Sequence, residues 1–166
     1  MEDTTIDSLK ELVAREGLEE ARKKLTWYHA EMTRRGVDRP HDYVSFYKSA
    51  LDGHIWPTLD ALAREVKVPA ARVRKALFLA QFPESIIDLF FHERLTPKLA
   101  RALSSLADVA AEDALIFRAE SVPEDASLSE KLTSLVEAVQ DTLDQRAAEA
   151  SRKEDCSTKS RNKRQE

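Results

Sequence analysis

Apolar residues recur at intervals of three and four along most of this sequence, and no stretch of useful length alternates apolar with polar. That spacing constrains the chain more than anything else, because it suits helices with one buried face and no strands. Three glycines and six prolines in 166 residues leave few interruptions, and they punctuate rather than dilute the pattern. Ile6, Leu9, Leu12 and Val13 predict a first helix stopped by Gly17. Ala21, Leu25, Tyr28 and Met32 predict a second from Leu18 to Arg35, stopped by Gly36. After Arg39-Pro40, Asp42 is placed to cap a third helix carrying Val44, Phe46, Tyr47 and Leu51 and ending at Gly53.

The segment TLDALAREVKVPAARVRKAL, from Thr58 to Leu77, predicts two short helices around the bend Lys67-Val68-Pro69. Thr58 is an N-cap, and Pro69 suits the first turn of the second helix. Ala63 is small where the helices would touch, Val66 and Val68 flank the bend, and Val73 stands where it can lock one helix onto the other, with Ala76, Leu77 and Ala80 continuing the buried stripe of the second helix. This is the patterning of a helix-turn-helix. It departs at Lys67, a position where glycine is common because the backbone there tends to be left-handed. Ala70, Ala71, Arg74, Lys75 and Phe78 would then face away from the core, on the surface a recognition helix presents to the major groove. A plain helical hairpin is the alternative reading of the same spacing.

Shorter helices are predicted at residues 84–90, at 97–106 with Thr96-Pro97 as a cap-plus-proline start, and at 109–119. Beyond Ser121-Val122-Pro123, the residues Leu128, Leu132, Leu135, Val136, Val139 and Leu143 line one face of a helix of about five turns. That face is either core or a dimer interface, and Pro123, which detaches it from the preceding helices, favours the dimer. SRKEDCSTKSRNKRQE shows no apolar periodicity and is expected to be disordered.

The net charge of −4 conceals its distribution. Residues 58–82 carry five basic and two acidic side chains, and residues 151–166 carry six and three. Residues 83–150 carry six and fourteen. A basic patch on an acidic scaffold is compatible with selective DNA binding and weakens indiscriminate phosphate attraction. The basic tail could follow phosphates without reading sequence. The single cysteine, Cys156, can form neither an internal disulfide nor a zinc cluster, and a reducing cytoplasmic location is expected. No apolar run is long enough to span a membrane, and the acidic N-terminus has no signal-peptide core. His29, His41, His54 and His92 have no metal-ligand spacing, and no phosphate loop or nucleophile elbow is present. No metal, no cofactor and no enzymatic activity are expected. Trp27 and Trp56 are expected in the core or an interface.

The longer run LAREVKVPAARVRKALFLAQFPESIIDLFFHERLTPKLARALSSL resembles the central DNA-binding domain of ParB-type partition proteins and their KorB-like relatives. The resemblance lies in the leucine-rich continuation of the recognition helix and in the Pro83-Glu84 start of a helix ending Ile86-Ile87-Asp88-Leu89-Phe90. It continues through Leu95-Thr96 and the run Ala100-Arg101-Ala102-Leu103, over about residues 45–107. It implies an all-α, multi-helix domain built around a helix-turn-helix, with a C-terminal amphipathic helix. Such a domain reads a centromere-like or operator site in double-stranded DNA as a homodimer, in a nucleoid- or plasmid-associated setting. By position it implies DNA contacts from Thr58, Arg72, Arg74, Lys75, Lys98 and Arg101, which Ala70 and Ala71 join from the outward face of the second helix. A ParA-like ATPase partner is implied by resemblance only.

Residues 1–44 lack the arginine-rich phosphate-binding motifs of the family's CTP-binding domain, which shifts weight toward regulation, as of a mobile element, or an accessory role. Pro69, Ala70 and Ala71 stand where polar residues are expected, and alanine can touch a thymine methyl but cannot hydrogen-bond a base edge. The expected division is an N-terminal helical segment at 1–40, the DNA-binding domain at 41–121, the amphipathic helix at 122–149 and the tail at 150–166. The chief alternative from another class is a helical protein-interaction module.

Overall fold

A computed structural model describes residues 2–35, 39–109, 112–123 and 125–162, with side chains described between Leu9 and Ala150. Among the described residues there are nine helices and no strand, so the chain is all-α as its periodicity requires. They are α1 (Glu2–Glu16), α2 (Leu18–Arg35), α3 (Pro40–Asp52), α4 (Leu59–Glu65), α5 (Ala70–Leu79), α6 (Glu84–Phe90), α7 (Pro97–Val109), α8 (Glu112–Ser121) and α9 (Leu128–Asn162). They form two compact units, residues 1–92 and residues 93–166. This division cuts across the expected domains: α1 and α2 join α3 in the first unit, while α7 and α8 join α9 in the second.

The first unit is organised around α3, which packs against α1, α4, α5 and α6. Tyr43, Val44, Phe46, Tyr47 and Ala50 of α3 are buried, and they meet Leu62, Ala63, Val73, Ala76, Ile87 and Phe90 in one core. Gly17 ends α1 as expected, with a left-handed φ of 84° and its N–H donating to Val13 O at 2.9 Å. Gly36 lies outside the described residues.

The start of α3 differs from the expectation at Asp42. The helix begins three residues earlier, with Arg39 at the N-cap and Pro40 in the first turn. Proline is well placed there, because its missing N–H would have had no helical partner anyway. Gly53 follows α3. It has an ordinary φ of −75°, but a Cβ would stand 3.0 Å from Ser49 O, so a side chain here would push on the backbone of α3 and glycine suits the position. His54 takes the left-handed conformation, with a φ of 55°.

The second unit folds α9 back along α8 and against α7. Arg118 of α8 donates to Glu137 at 3.3 Å and to Asp141 at 2.6 Å on α9. The expectation that Pro123 detaches the last helix therefore fails: α9 is built into its unit. The start of α9 is a capping box, in which Ser127 N–H donates to Glu130 Oε2 at 2.8 Å and Glu130 N–H donates to Ser127 Oγ at 3.3 Å.

The buried face of α9 is also rotated from the one its leucines suggest. Lys131, Leu135, Ala138 and Thr142 are buried, whereas Val136 and Leu143 are exposed. Lys131 tolerates burial because its ammonium reaches Glu93 at 2.8 Å. The helix then continues through the stretch expected to be disordered, as far as Asn162. Ala, Glu, Arg and Lys between Arg146 and Lys153 are strong helix formers, which favours continuing the helix there. Residues 163–166 lie outside the described residues.

Candidate nucleic-acid interface

Thr58 caps α4: its extended backbone turns the chain into the helix, and its hydroxyl accepts the Ala61 N–H at 3.1 Å. The helix lasts seven residues and closes through Val66. Lys67 follows with a φ of 57°, so the bend does place a non-glycine residue in the left-handed region. Val68 N–H returns to Ala63 O at 3.0 Å, which closes the turn. Pro69 stands at the N-cap of α5, one place before the expected first turn. Ala63, Val66, Val73 and Ala76 are buried between the two helices and the rest of the core, as the spacing predicts. Leu79 is buried with them, whereas Leu77 and Ala80, expected on the same buried stripe, are half-buried.

The cations of α5 divide by position. Arg74 is exposed, with its side chain at 63% of full accessibility, and its Nη2 lies 3.8 Å from Asp60 Oδ1 of α4. Ala71 is exposed beside it, and Ala70 is half-buried. Arg72 and Lys75 flank the buried stripe and are half-buried. The Arg72 guanidinium lies 4.9 Å from the centre of the Tyr43 ring and 5.6 Å from that of Phe91. Its Nε is buried without a hydrogen-bond partner. Lys75 donates to Phe91 O and lies 5.3 Å from the same ring. Both side chains are thus engaged with the α3 and α6 ends of the core, because positions 72 and 75 share a helix face beside Val73 and Ala76. Their engagement was not legible in the sequence, since Phe91 reaches α5 only through the fold.

Arg72 also acts on two neighbours. His29, buried on α2, lies 2.9 Å through Nε2 from the Tyr47 hydroxyl. Burial holds its imidazole below the usual histidine range, and the charge of Arg72 adds to that. Burial pushes the Tyr47 phenol up to about 12, against the opposing charge of Arg72. These groups form a polar knot inside an aromatic core.

Lys98 and Arg101 stand exposed on α7, in the second unit. Arg101 Nε donates to Pro97 O, one turn back, at 3.2 Å. The structure therefore gathers Thr58, Ala70, Ala71, Arg72, Arg74 and Lys75 in the first unit and carries Lys98 and Arg101 in the other.

Trp56 is buried as predicted for a core residue, but Trp27 is 65% exposed on α2. It borders a groove of about 700 Å³ lined also by Trp56, Pro57, Arg22 and Arg64. Among the described residues, no three His, Cys, Asp or Glu side chains are grouped to hold a metal ion. No described helix is long and apolar enough to cross a membrane. No protein-family model matches the chain, and comparison with curated proteins and with solved structures finds no match.

Proposed function

We propose that this chain is a sequence-specific double-stranded DNA-binding protein that uses α4 and α5 as a helix-turn-helix, in the manner of ParB-type partition proteins or of a transcriptional regulator of a mobile element. The observation that carries the reading is the closure of α4 on α5. Ala63, Val66, Val73 and Ala76 are buried around the left-handed Lys67 turn, while Ala71 and Arg74 stay exposed on α5. An exposed arginine on the outer face of a second helix is suited to a bidentate contact with guanine, and alanine beside it to a thymine methyl. Arg72 and Lys75 support the helix from behind in this reading, and Arg74 is its principal base-reading cation. Thr58 and Ala70 contribute backbone contacts in this reading, and a role for Lys98 and Arg101 follows only from the resemblance. The activity is binding rather than catalysis. A nucleoid- or plasmid-associated location and a ParA-like ATPase partner follow only from the resemblance.

We further propose a homodimer through α9. Leu132, Val136, Val139 and Leu143 repeat at intervals of four, three and four, and Val136 and Leu143 are 54% and 43% exposed. Sedimentation equilibrium checks it: the mass should fall to that of one chain in Val136→Lys/Leu143→Lys. A protein-interaction role is the second reading, and the exposed Trp27 beside its groove favours it.

The deciding experiment mixes the full chain with sheared DNA of its source replicon at near-physiological salt and sequences what is retained. A few sharply enriched loci, lost with Arg74→Ala, support site-specific binding. Uniform weak retention that disappears with added salt leaves only phosphate attraction and ends the site-specific reading.

A further inference from the structure

Asp60 and Arg74 belong to different helices of the first unit, and their charged groups meet across the α4–α5 pair at 3.8 Å. Both are largely exposed, at 71% and 63%. Asp60 has Arg64 one turn further along its own helix, yet the guanidinium within ion-pair distance is that of α5. An acidic side chain here is unexpected in a basic stretch that would approach a polyanion, because it repels phosphate.

We propose that Asp60 is a specificity-determining residue of the candidate DNA interface: it competes with DNA phosphates for Arg74, so that only a contact stronger than a single phosphate draws the guanidinium away. This rests on the DNA-binding reading above. The relative magnitudes favour it. An exposed ion pair changes an equilibrium by about two- to fivefold, and one solvent-screened phosphate contact is of similar size. A bidentate contact with a guanine edge discriminates by roughly ten- to a hundredfold. A neighbouring carboxylate therefore cancels most of the phosphate attraction of Arg74 and leaves most of the base contact. Lys75, donating to Phe91 O, and Arg72, held over two rings, are engaged elsewhere, so Arg74 is the α5 cation on which such competition acts.

The test uses the full chain and the variants Asp60→Asn, Asp60→Glu, Arg74→Ala and Asp60→Asn/Arg74→Ala. Each is titrated with a random-sequence duplex across a salt series and used to select from a randomised duplex pool. Asp60→Asn should bind the random duplex about two- to fivefold more tightly, because one more phosphate is neutralised. Its logarithmic salt slope should steepen by about 0.9. Its selected sequences should be less sharply enriched. Asp60→Glu should keep the wild-type behaviour, and the gain should vanish in the Arg74→Ala background. Melting curves followed by circular dichroism verify that each variant is folded, with Asp60→Ser as a second neutral variant.

A wild-type protein that binds and selects DNA while Asp60→Asn changes neither affinity nor slope overturns the role of Asp60 and leaves the DNA reading standing. An undiminished gain in the Arg74→Ala background overturns it as well, since Asp60 then acts on phosphates directly. A wild-type chain that neither binds nor selects from the pool overturns the DNA reading and this inference with it.

Discussion

The first unit is built on aromatic rings and the second on aliphatic side chains. Tyr43, Phe46, Tyr47, Trp56, Phe90 and Phe91 are buried in the one. Residues 93–166 contain a single aromatic, Phe117, and it is 71% exposed. The core of the second unit is made of Leu99, Leu103, Leu106, Leu115 and Leu135 with Ala119 and Ala138. Rings constrain one another by shape and quadrupole: His29 meets Tyr43 edge-on, and Tyr43 stacks on Phe91. They also give cations a place to rest, which is how Arg72 and Lys75 are drawn off the outer face of α5. A leucine core offers neither constraint. The helices that bear the candidate interface are therefore held by directional contacts, while α7, α8 and α9 depend on apolar area and on the ion pairs at Arg118 and Lys131.

The sharpest way to break this contrast is to empty one site in the aromatic core and reshape one in the aliphatic core. Phe90→Ala should cost about 3–5 kcal/mol in urea unfolding, since a buried ring leaves a cavity its neighbours cannot fill. Leu103→Met should cost less than about 1.5 kcal/mol, because a flexible side chain of similar volume repacks. A loss at Leu103 as large as that at Phe90 would show that the aliphatic core is held as tightly to one shape as the aromatic one.

Next in size is the division between the cations of α5. Arg72→Ala should destabilise by about 1–2 kcal/mol, through lost stacking over Tyr43 and Phe91 and lost packing of its stem. Arg74→Ala should change stability little and act instead on DNA retention, so the two variants should exchange ranks between the unfolding curve and the binding assay.

Acid sharpens the comparison further, because all four histidines lie in residues 1–92. His29 resists protonation in the folded state, while the unfolded chain takes up its proton near the ordinary value of 6.5. Its contribution is complete above that pH and is lost as the pH falls below it toward the depressed folded value. Tyr47 acts at the other end: its neutral form is favoured by folding, so stability should decline as the pH rises from 10.0 toward about 12. The urea midpoint followed from pH 7.5 to 5.5 should drop in the wild type and drop less in His29→Gln. An unchanged slope in the variant would remove His29 as the cause.

The smallest effect expected is at the bend. Lys67→Gly relieves a left-handed backbone but adds freedom to the unfolded chain, for a net gain of about 0.5–1 kcal/mol. A loss instead would mean that the Lys67 side chain contributes a contact worth more than the strain.

Much of the fold was legible because it is written in local chemistry. The boundaries of α2 and α6 follow from periodicity with Gly17, Arg35 and Pro83, and the Thr58 and Thr96 caps are used as their residue types suggest. The start of α3 was misplaced because two good signals, Pro40 and Asp42, competed within one turn. The face of α9 was misread because Lys131 and Thr142 are buried where leucines would be sought. Thr142 satisfies its hydroxyl on Ala138 O at 2.8 Å, a local bond that frees a polar residue to enter the core.

The candidate interface shows where local information ends. Sequence alone determined that the chain is helical, that α4 and α5 meet at a tight bend, and that the cations at 72, 74 and 75 lie on the second helix, because residue spacing and backbone geometry decide those. Only the tertiary structure decided that Phe91, some sixteen residues on, draws Lys75 and Arg72 inward, that Asp60 faces Arg74, and that Trp27 is left in solvent. Those outcomes depend on which distant side chains arrive beside a given helix face, and no interval along the sequence encodes that arrival.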